Sequence, residues 1–212
     1  MSKLLRQPTK ITGAGRTDAG VNAWLMVAHF DAPAPIGDTD AFCRRLNAMT
    51  GSAIAILSAT PVADDSHARF DAVERTYHYY VAHRKTPFFN TLSWHCPREL
   101  DYEAMNRAAA LLLTTDDFTS FAKLHSDTTN NLCRVTHARW EEVAPGYHVF
   151  VITANRFLRN MVRAVVGTLV EVGRGKMTIE EFARVIESRD RCAAGTSMPG
   201  HALYLWDIRY PY

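Results

Sequence analysis

Two strand-like segments joined by a tight turn constrain the fold of this chain more than any other feature. Residues 136–143 and 147–154 are rich in β-branched and aromatic residues and are separated by Ala144-Pro145-Gly146. Proline and glycine between two such segments are typical of a β-hairpin. Because a hairpin is antiparallel, whereas a doubly wound sheet is mostly parallel, the sequence predicts the α+β class.

The other predicted elements follow an order that repeats loosely in two halves. Strands are predicted over 24–30, 53–58, 76–82 and 203–208, and helices over 38–49, 101–113, 156–172 and 179–188. Asp38 or Thr39 is expected to cap the first helix, and Gly51 to end it. The prediction is two similar lobes, residues 1–95 and 96–212, that share a mostly antiparallel mixed sheet flanked by helices.

Composition excludes several classes of protein. The 212 residues are 47% hydrophobic and 22% charged, which is typical of a globular chain with a real core. No apolar run approaches the ~20 residues that span a bilayer, and the first residues do not resemble a secretory signal, so a cytoplasmic protein is expected. Four dispersed cysteines predict reduced, mostly buried thiols. The nine histidines lack ligand spacing, so no metal is expected.

A glycine-rich loop at residues 13–21, with the sequence G-A-G-R-T-D-A-G-V, is the strongest candidate for a functional site. It lacks the third glycine of a dinucleotide-binding motif and the Lys-Ser or Lys-Thr of a phosphate-binding loop. Asp18 therefore lies beside Arg16 on a loop whose small residues let a large substrate approach. The alternative is an aspartate that only caps a turn.

The predicted helix over 156–172 carries a basic stripe. Arg156, Arg159 and Arg163 are spaced three and four residues apart, which places them together on a helix. They lie beside an apolar stripe formed by Leu158, Met161, Val162, Val165 and Leu169. The basic stripe is either a solvated helix face or a surface that contacts phosphates.

The glycine-rich loop resembles the catalytic motif of the tRNA pseudouridine synthase A family, G-x-G-R-T-D-A-G-V-H-A. Six further segments resemble motifs of that family in the same order: residues 66–72, 75–79, 117–121, 157–163, 166–169 and 203–205. The resemblance therefore extends from about residue 11 to the C-terminus.

The resemblance implies the pseudouridine synthase fold, with the active-site cleft between the lobes, and a homodimer that binds tRNA. It also implies isomerisation of uridine to pseudouridine at positions 38–40, in the anticodon stem-loop. That reaction needs neither redox change nor net proton transfer, so no cofactor is expected. Two alternatives are a noncatalytic RNA-binding remnant and a glycosidase-like enzyme on nucleosides, which would need a second carboxylate.

The resemblance also assigns roles to individual residues. Asp18 is the expected catalytic carboxylate, and Arg163 pairs with it and keeps it ionised and oriented. Tyr77 is expected to stack on the target base, although Tyr79 points the same way along its strand. A strand aromatic packed in the core is the alternative for Tyr77.

The remaining expected contacts are to the RNA. Arg16 is expected to take the place of the target nucleotide in the stem, or else to form a structural pair with Asp18. Leu203 is expected in the pocket, or is simply a buried strand leucine. The other predicted RNA-binding residues are Arg69, Arg75, Arg156 and Arg159.

The chain departs from the family pattern at two points. The family's N-terminal strand, with its Y-D-G-T pattern, and the helix after it have no counterpart, so a chain shortened at its N-terminus is expected. Asn22 stands where the family usually has histidine. Asparagine can form hydrogen bonds but does not titrate, which argues against a proton-carrying role at this position.

Overall fold

The computed structural model describes residues 1–123 and 130–212, in which the chain forms two compact units. Unit 1 comprises Met1–Gly15 and Val27–Asp71, and unit 2 comprises Arg16–Met26 and Ala72–Tyr212. These bounds differ from those of the lobes predicted at 1–95 and 96–212, which stay a prediction. The short segment with Asp18 thus belongs to the larger unit.

The helices and strands are numbered here in chain order. The helices are α1 (Ser2–Leu5), α2 (Thr39–Met49), α3 (Tyr102–Ala110), α4 (Met161–Gly173) and α5 (Ile179–Ser188). The strands are β1 (Thr12–Gly13), β2 (Asn22–Ala23), β3 (Ala28–His29), β4 (Glu74–Ala82), β5 (Trp94–His95), β6 (Val135–Ala144), β7 (Tyr147–Ala154) and β8 (Leu203–Arg209). Short 3₁₀ turns are formed by Leu111–Thr114, Thr119–Phe121, Arg191–Ala193 and Gly200–Ala202.

Unit 1 contains the helix predicted at 38–49. Asp38 caps α2, because its side chain accepts a hydrogen bond from the Ala41 amide at 2.8 Å. The helix ends at Met49 with Thr50 as its C-cap, and Gly51 follows the cap without the left-handed backbone typical of a glycine at that position. Phe42, on the buried face of α2, stacks on Phe30 with 5.9 Å between ring centroids. Strands β1 and β3 form a two-stranded antiparallel sheet in the same unit.

The strand predicted at 53–58 is absent, and this prediction was wrong. The Asn47 side chain forms hydrogen bonds with both backbone polar groups of Ile56. Its Nδ2 donates to the Ile56 carbonyl at 2.8 Å, and its Oδ1 accepts from the Ile56 amide at 2.7 Å. Ile54 and Leu57 are exposed. An apolar segment without a partner strand satisfies its backbone locally instead.

The single strand predicted over 24–30 was also wrong. Of this range only Ala28–His29 forms a strand, β3, whereas β2 precedes the range, and the two strands belong to different units. β2 pairs with β8 in parallel, and the Trp24 amide extends this pairing to the Leu205 carbonyl at 2.8 Å. β3 pairs with β1 instead. The backbone of this segment thus pairs with β8 at its start and with β1 near its end, so it does not form one continuous strand.

Unit 2 is built on a mixed sheet with the order β2-β8-β4-β7-β6, and β5 also pairs with β4. β4 is antiparallel to both β7 and β8, and β6 is antiparallel to β7. Gly146, at φ +77°, makes the turn between β6 and β7. The predicted hairpin and the α+β class with a mostly antiparallel mixed sheet are therefore confirmed.

Helices α3, α4 and α5 pack with the sheet around one apolar core. The core residues include Tyr79, Met105, Phe150, Ile152, Val165, Leu169 and Phe182, none of which is accessible to solvent. The helix predicted at 179–188 is confirmed as α5, where Thr178 and Glu181 form a capping box. Helix α3 is confirmed with Asp101 as its cap, and its predicted last residues form a 3₁₀ turn.

Helix α4 begins five residues later than predicted. Asn160, which precedes it, has a left-handed backbone with φ +66° and so interrupts any continuous helix from Arg156. Arg156 and Arg159 therefore lie before the helix, and the predicted helical stripe of three arginines was wrong. Leu158 is nevertheless buried, as expected.

Burial and helix length bear on two further expectations. Cys43, Cys96 and Cys133 are buried and Cys192 is exposed, and all four are free thiols, as predicted. In residues 1–123 and 130–212, none of the helices combines the length and the apolar character that crossing a bilayer requires.

Candidate active site

The segment around Asp18 is bound to the beginning of β8. Asn22 is the first residue of β2, which pairs with β8, and its Nδ2 donates to the His201 carbonyl at 2.8 Å. Gly20 has φ +78°, and a Cβ on Gly200 would lie 2.7 Å from the Ala19 carbonyl oxygen. Glycine is therefore required at 200 for close backbone approach. The side chain of Asn22 has a structural role in positioning the loop.

Asp18 and Arg163 form an ion pair across the site. The Arg163 Nη1 donates to the Asp18 Oδ2 at 3.1 Å, and both side chains are 22% exposed. The Nε of Arg159 lies 4.0 Å from the Asp18 Oδ1, and this arginine is 62% exposed. The partly shielded pair with Arg163 fixes the carboxylate, whereas the second contact is longer and more exposed to solvent.

Arg163 is itself held by the segment before β8. Its Nε donates to the Met198 carbonyl, and its own carbonyl accepts from the Met198 amide at 3.1 Å. Ser197 receives hydrogen bonds from Asn160 and from the Arg191 Nη2, the latter at 2.8 Å. Sequence reasoning missed this segment, because Met198 acts through its backbone and so leaves no side-chain signal.

Tyr77 lies on β4, and its ring packs edge-on against Phe157 with 5.1 Å between centroids. Burial raises the pKa of Tyr77 to about 12, the nearby Arg75 lowers it and the Asp18 charge raises it further. The phenol is thus protonated at neutral pH. Of the two predicted candidates, Tyr79 has no accessible surface, whereas Tyr77 is only partly buried.

The predicted RNA-binding arginines differ in the contacts that they make within the protein. Arg16 is exposed and forms no ion pair with Asp18, so the structural alternative for this residue is not supported. The Arg75 Nη1 donates to the Ala72 carbonyl at 2.6 Å and to the Asn155 carbonyl at 3.0 Å. Arg75 therefore fixes the backbone at the start of β4.

The other predicted contact residues lie in different surroundings. Arg156 is half-buried, and its Nη1 donates to the Asn130 Oδ1 at 3.4 Å. Leu203 is 5% exposed and lies in the core, in register with Tyr79 across the β4–β8 pair. In unit 1, the Arg69 guanidinium lies 5.8 Å from the centroid of the Phe70 ring. Their roles toward RNA stay predictions.

The geometry leaves Asp18 able to act as a nucleophile or to stabilise a cationic carbon. One carboxylate oxygen is bound by Arg163, while Oδ1 accepts no hydrogen bond from the described residues. A carboxylate of this kind suits reactions at a sugar carbon. Across residues 1–123 and 130–212, no three His, Cys, Asp or Glu side chains are grouped as metal ligands.

Comparison with known proteins identifies the family of this chain. A family model described as tRNA pseudouridine synthase matches residues 108–211. The tRNA pseudouridine synthase A of Parabacteroides distasonis is 54% identical over 208 residues, which cover 98% of this chain and 82% of the relative. The protein of that name from Porphyromonas gingivalis is 53% identical over 213 residues, covering 100% and 84%.

A more distant relative matches over a similar share of both chains. The tRNA pseudouridine synthase A of Bacillus subtilis is 38% identical over 202 residues, or 94% of this chain and 81% of the relative. The fold and these matches together define a pseudouridine synthase, a class of isomerases. Within that class, the chain belongs to the tRNA pseudouridine synthase A family, EC 5.4.99.12.

Proposed function

We propose that this protein isomerises uridine to pseudouridine in the anticodon stem-loop of tRNA, at positions 38–40. The observation that carries the proposal is the Asp18–Arg163 pair, held at 3.1 Å in the glycine-rich loop that resembles the family's catalytic motif. The relatives' name supports tRNA as the substrate. We place the reaction in the cytoplasm, with tRNA as partner and a homodimer as the assembly.

The chemistry is an internal exchange of bonds that requires no co-reactant. The N1–C1′ glycosidic bond breaks, the uracil turns, and a C5–C1′ bond forms while C5 loses its hydrogen and N1 gains one. The Asp18 carboxylate attacks C1′, attacks C6 of the base, or removes a sugar proton, and each route requires an ionised oxygen close to the nucleotide. Arg163 keeps the other oxygen of that carboxylate bound.

The remaining residues would receive the displaced nucleotide. Tyr77 offers an aromatic ring whose hydroxyl stays protonated, so we assign it to stacking on the base. Arg16, exposed and without an ion pair to Asp18, has the length and planarity to fill the gap that the flipped base leaves in the stem. Both assignments rest on family resemblance as well as on geometry.

The test uses tRNA transcripts that carry tritium at C5 of uridine, because formation of the C5–C1′ bond releases the label. We expect release from transcripts whose labelled uridines are at positions 38–40. We expect Asp18→Ala and Asp18→Asn to reduce the rate by about 10³-fold or more. Asp64→Asn, an exposed aspartate with the same loss of charge, serves as control and should retain the rate.

Three outcomes would contradict the proposal. One is a wild-type protein that binds tRNA without releasing tritium, which would indicate an RNA-binding protein rather than an isomerase. Another is full activity in both Asp18 variants. The third is release from free uridine but not from tRNA, which would indicate an enzyme on nucleosides.

A further inference from the structure

A basic cavity lies at the end of α4 that is remote from Arg163. It has a volume of about 260 Å³ and is lined by Trp94, His95, Cys96, Arg98, Arg174 and Lys176. Since an α-helix rises 1.5 Å per residue, Arg174 lies about 16 Å along the helix from Arg163. The cavity is therefore separate from the Asp18 site, although both belong to unit 2.

The cationic side chains of the cavity outnumber the carboxylates that pair with them. Glu171 pairs with both Arg174, at 3.0 Å, and Lys176, at 3.7 Å. Arg98 is exposed and forms no ion pair within the described parts of the chain. The cavity therefore keeps a net positive charge.

The local fold explains some of these cations but not Arg98. Arg174 and Lys176 lie at the C-terminal end of α4, where the helix dipole favours positive charge. Arg98 precedes the N-terminal end of α3, whose cap is Asp101, and the dipole disfavours a cation there. The helix dipole therefore does not explain the positive charge of Arg98, which can interact with a ligand.

The walls of the cavity are fixed by contacts within the protein. The Arg174 guanidinium lies 5.7 Å from the centroid of the Trp94 ring. The Cys96 amide donates to the Ala82 carbonyl at 2.9 Å, and its thiol donates to the Arg98 carbonyl at 3.3 Å. The Arg174 guanidinium is therefore oriented before a ligand arrives, and such a group matches the oxygens of a phosphate.

We propose that this cavity binds a backbone phosphate of the RNA substrate, at a second contact about one helix length from the reacting uridine. This inference rests on the proposed function. His95, Arg98 and Lys176 are exposed, so a ligand here keeps one side in solvent. That geometry suits a phosphodiester whose chain continues in both directions, whereas a free phosphate is bound best where it is enclosed.

The test measures the Kd of a full-length tRNA transcript as a function of salt. We expect Arg98→Gln and Lys176→Gln each to raise Kd about threefold, and the double variant about tenfold. The slope of log K against log salt should become shallower by about one for the double variant. The control is Arg139→Gln, an exposed arginine on β6, which should change Kd less than twofold.

Two outcomes would decide against the cavity as an RNA site. A double variant that binds tRNA as tightly as Arg139→Gln would overturn it. So would a double variant that loses binding of inorganic phosphate, measured by calorimetry, while tRNA binding stays unchanged, since that result indicates a small-anion site. Urea unfolding midpoints verify that the variants fold. Arg98→Lys, which keeps the positive charge that Arg98→Gln removes, should bind tRNA with nearly the wild-type Kd. Cavity-dependent tRNA binding by a wild-type protein that releases no tritium would refute only the proposed function.

Discussion

Asp18 and Arg163 lie 145 positions apart in the sequence, yet the carboxylate depends on that arginine for its orientation. The guanidinium makes two contacts at once: Nη1 binds the Asp18 Oδ2, and Nε binds the Met198 carbonyl. Only a planar group with donors on two of its nitrogens can make both contacts. The loop with Asp18 and the segment before β8 are therefore linked through one side chain.

Replacement of Arg163 by lysine tests this double contact. Lysine keeps the charge but cannot reach both oxygens, so the carboxylate loses its fixed orientation. We expect Arg163→Lys to lower kcat for tritium release about 10²-fold, with less than a threefold change in the Kd for tRNA. Arg139→Lys is the matched control. An Arg163→Lys variant with wild-type kcat would show that charge alone suffices.

Tyr77 gives a prediction about pH. Because the pKa of its phenol is raised to about 12, the hydroxyl does not act as a base near neutrality. We expect the profile of kcat against pH from 6 to 9 to have the same shape in Tyr77→Phe, with a rate within about tenfold of wild type. Loss of a titrating limb in Tyr77→Phe would contradict the assignment to stacking.

The same raised pKa predicts how stability changes in alkali. The folded state binds the phenolic proton more tightly than the unfolded chain does, so this contribution is fully present below pH 10. It is lost as pH rises from about 10 toward 12. Urea unfolding across this range should show a smaller alkaline loss in Tyr77→Phe than in the wild type.

At the level of elements, helix α4 and the segment over residues 194–198 pack closely together around Arg163. The Gly195 amide donates to the Thr168 hydroxyl at 2.9 Å, and that hydroxyl donates to the Ala164 carbonyl at 2.8 Å. A Cβ on Gly167 would collide with the Thr196 carbonyl oxygen. Glycine in α4 therefore permits the close packing that holds Met198 against Arg163.

Gly167→Ala tests this packing. In an open helix the change would stabilise by about 1 kcal/mol, but here the segment over 194–198 must move. We expect the free energy of unfolding to fall by about 1–3 kcal/mol, together with a lower kcat for tritium release. Gly37→Ala, at a site with open space, should change stability by less than about 1 kcal/mol. A stabilised, fully active Gly167→Ala would refute the argument.

For the whole molecule, thiol accessibility offers a simple test of the fold. Three of the four cysteines are buried and Cys192 is exposed. Buried thiols react with an aromatic disulfide reagent only when the structure opens. We expect one equivalent of rapid reaction in the native protein and four in guanidinium chloride. In Cys192→Ser the rapid reaction should disappear, and its persistence would show that a second thiol is accessible.

Sequence prediction succeeded where the structural signal was local. The hairpin follows from Pro145 and Gly146, and α5 forms over the range predicted for it, where the structure shows a local capping box at Thr178. It failed at 53–58 and at 24–30, because strand formation depends on a partner that lies elsewhere in the chain. It also failed at Arg156 and Arg159, because a left-handed Asn160 sets the start of α4.

The sequence by itself determined the fold class, the family and the identity of the candidate carboxylate. The glycine-rich loop and the six further motifs in fixed order are recognised from the sequence without any structure. Only the tertiary structure showed that Arg163 meets Asp18 at 3.1 Å and that Arg156 lies before α4. It alone identified the Met198 backbone as the support for Arg163. The reason is physical: a motif specifies chemical groups, whereas distances between them are set by packing over long sequence separations.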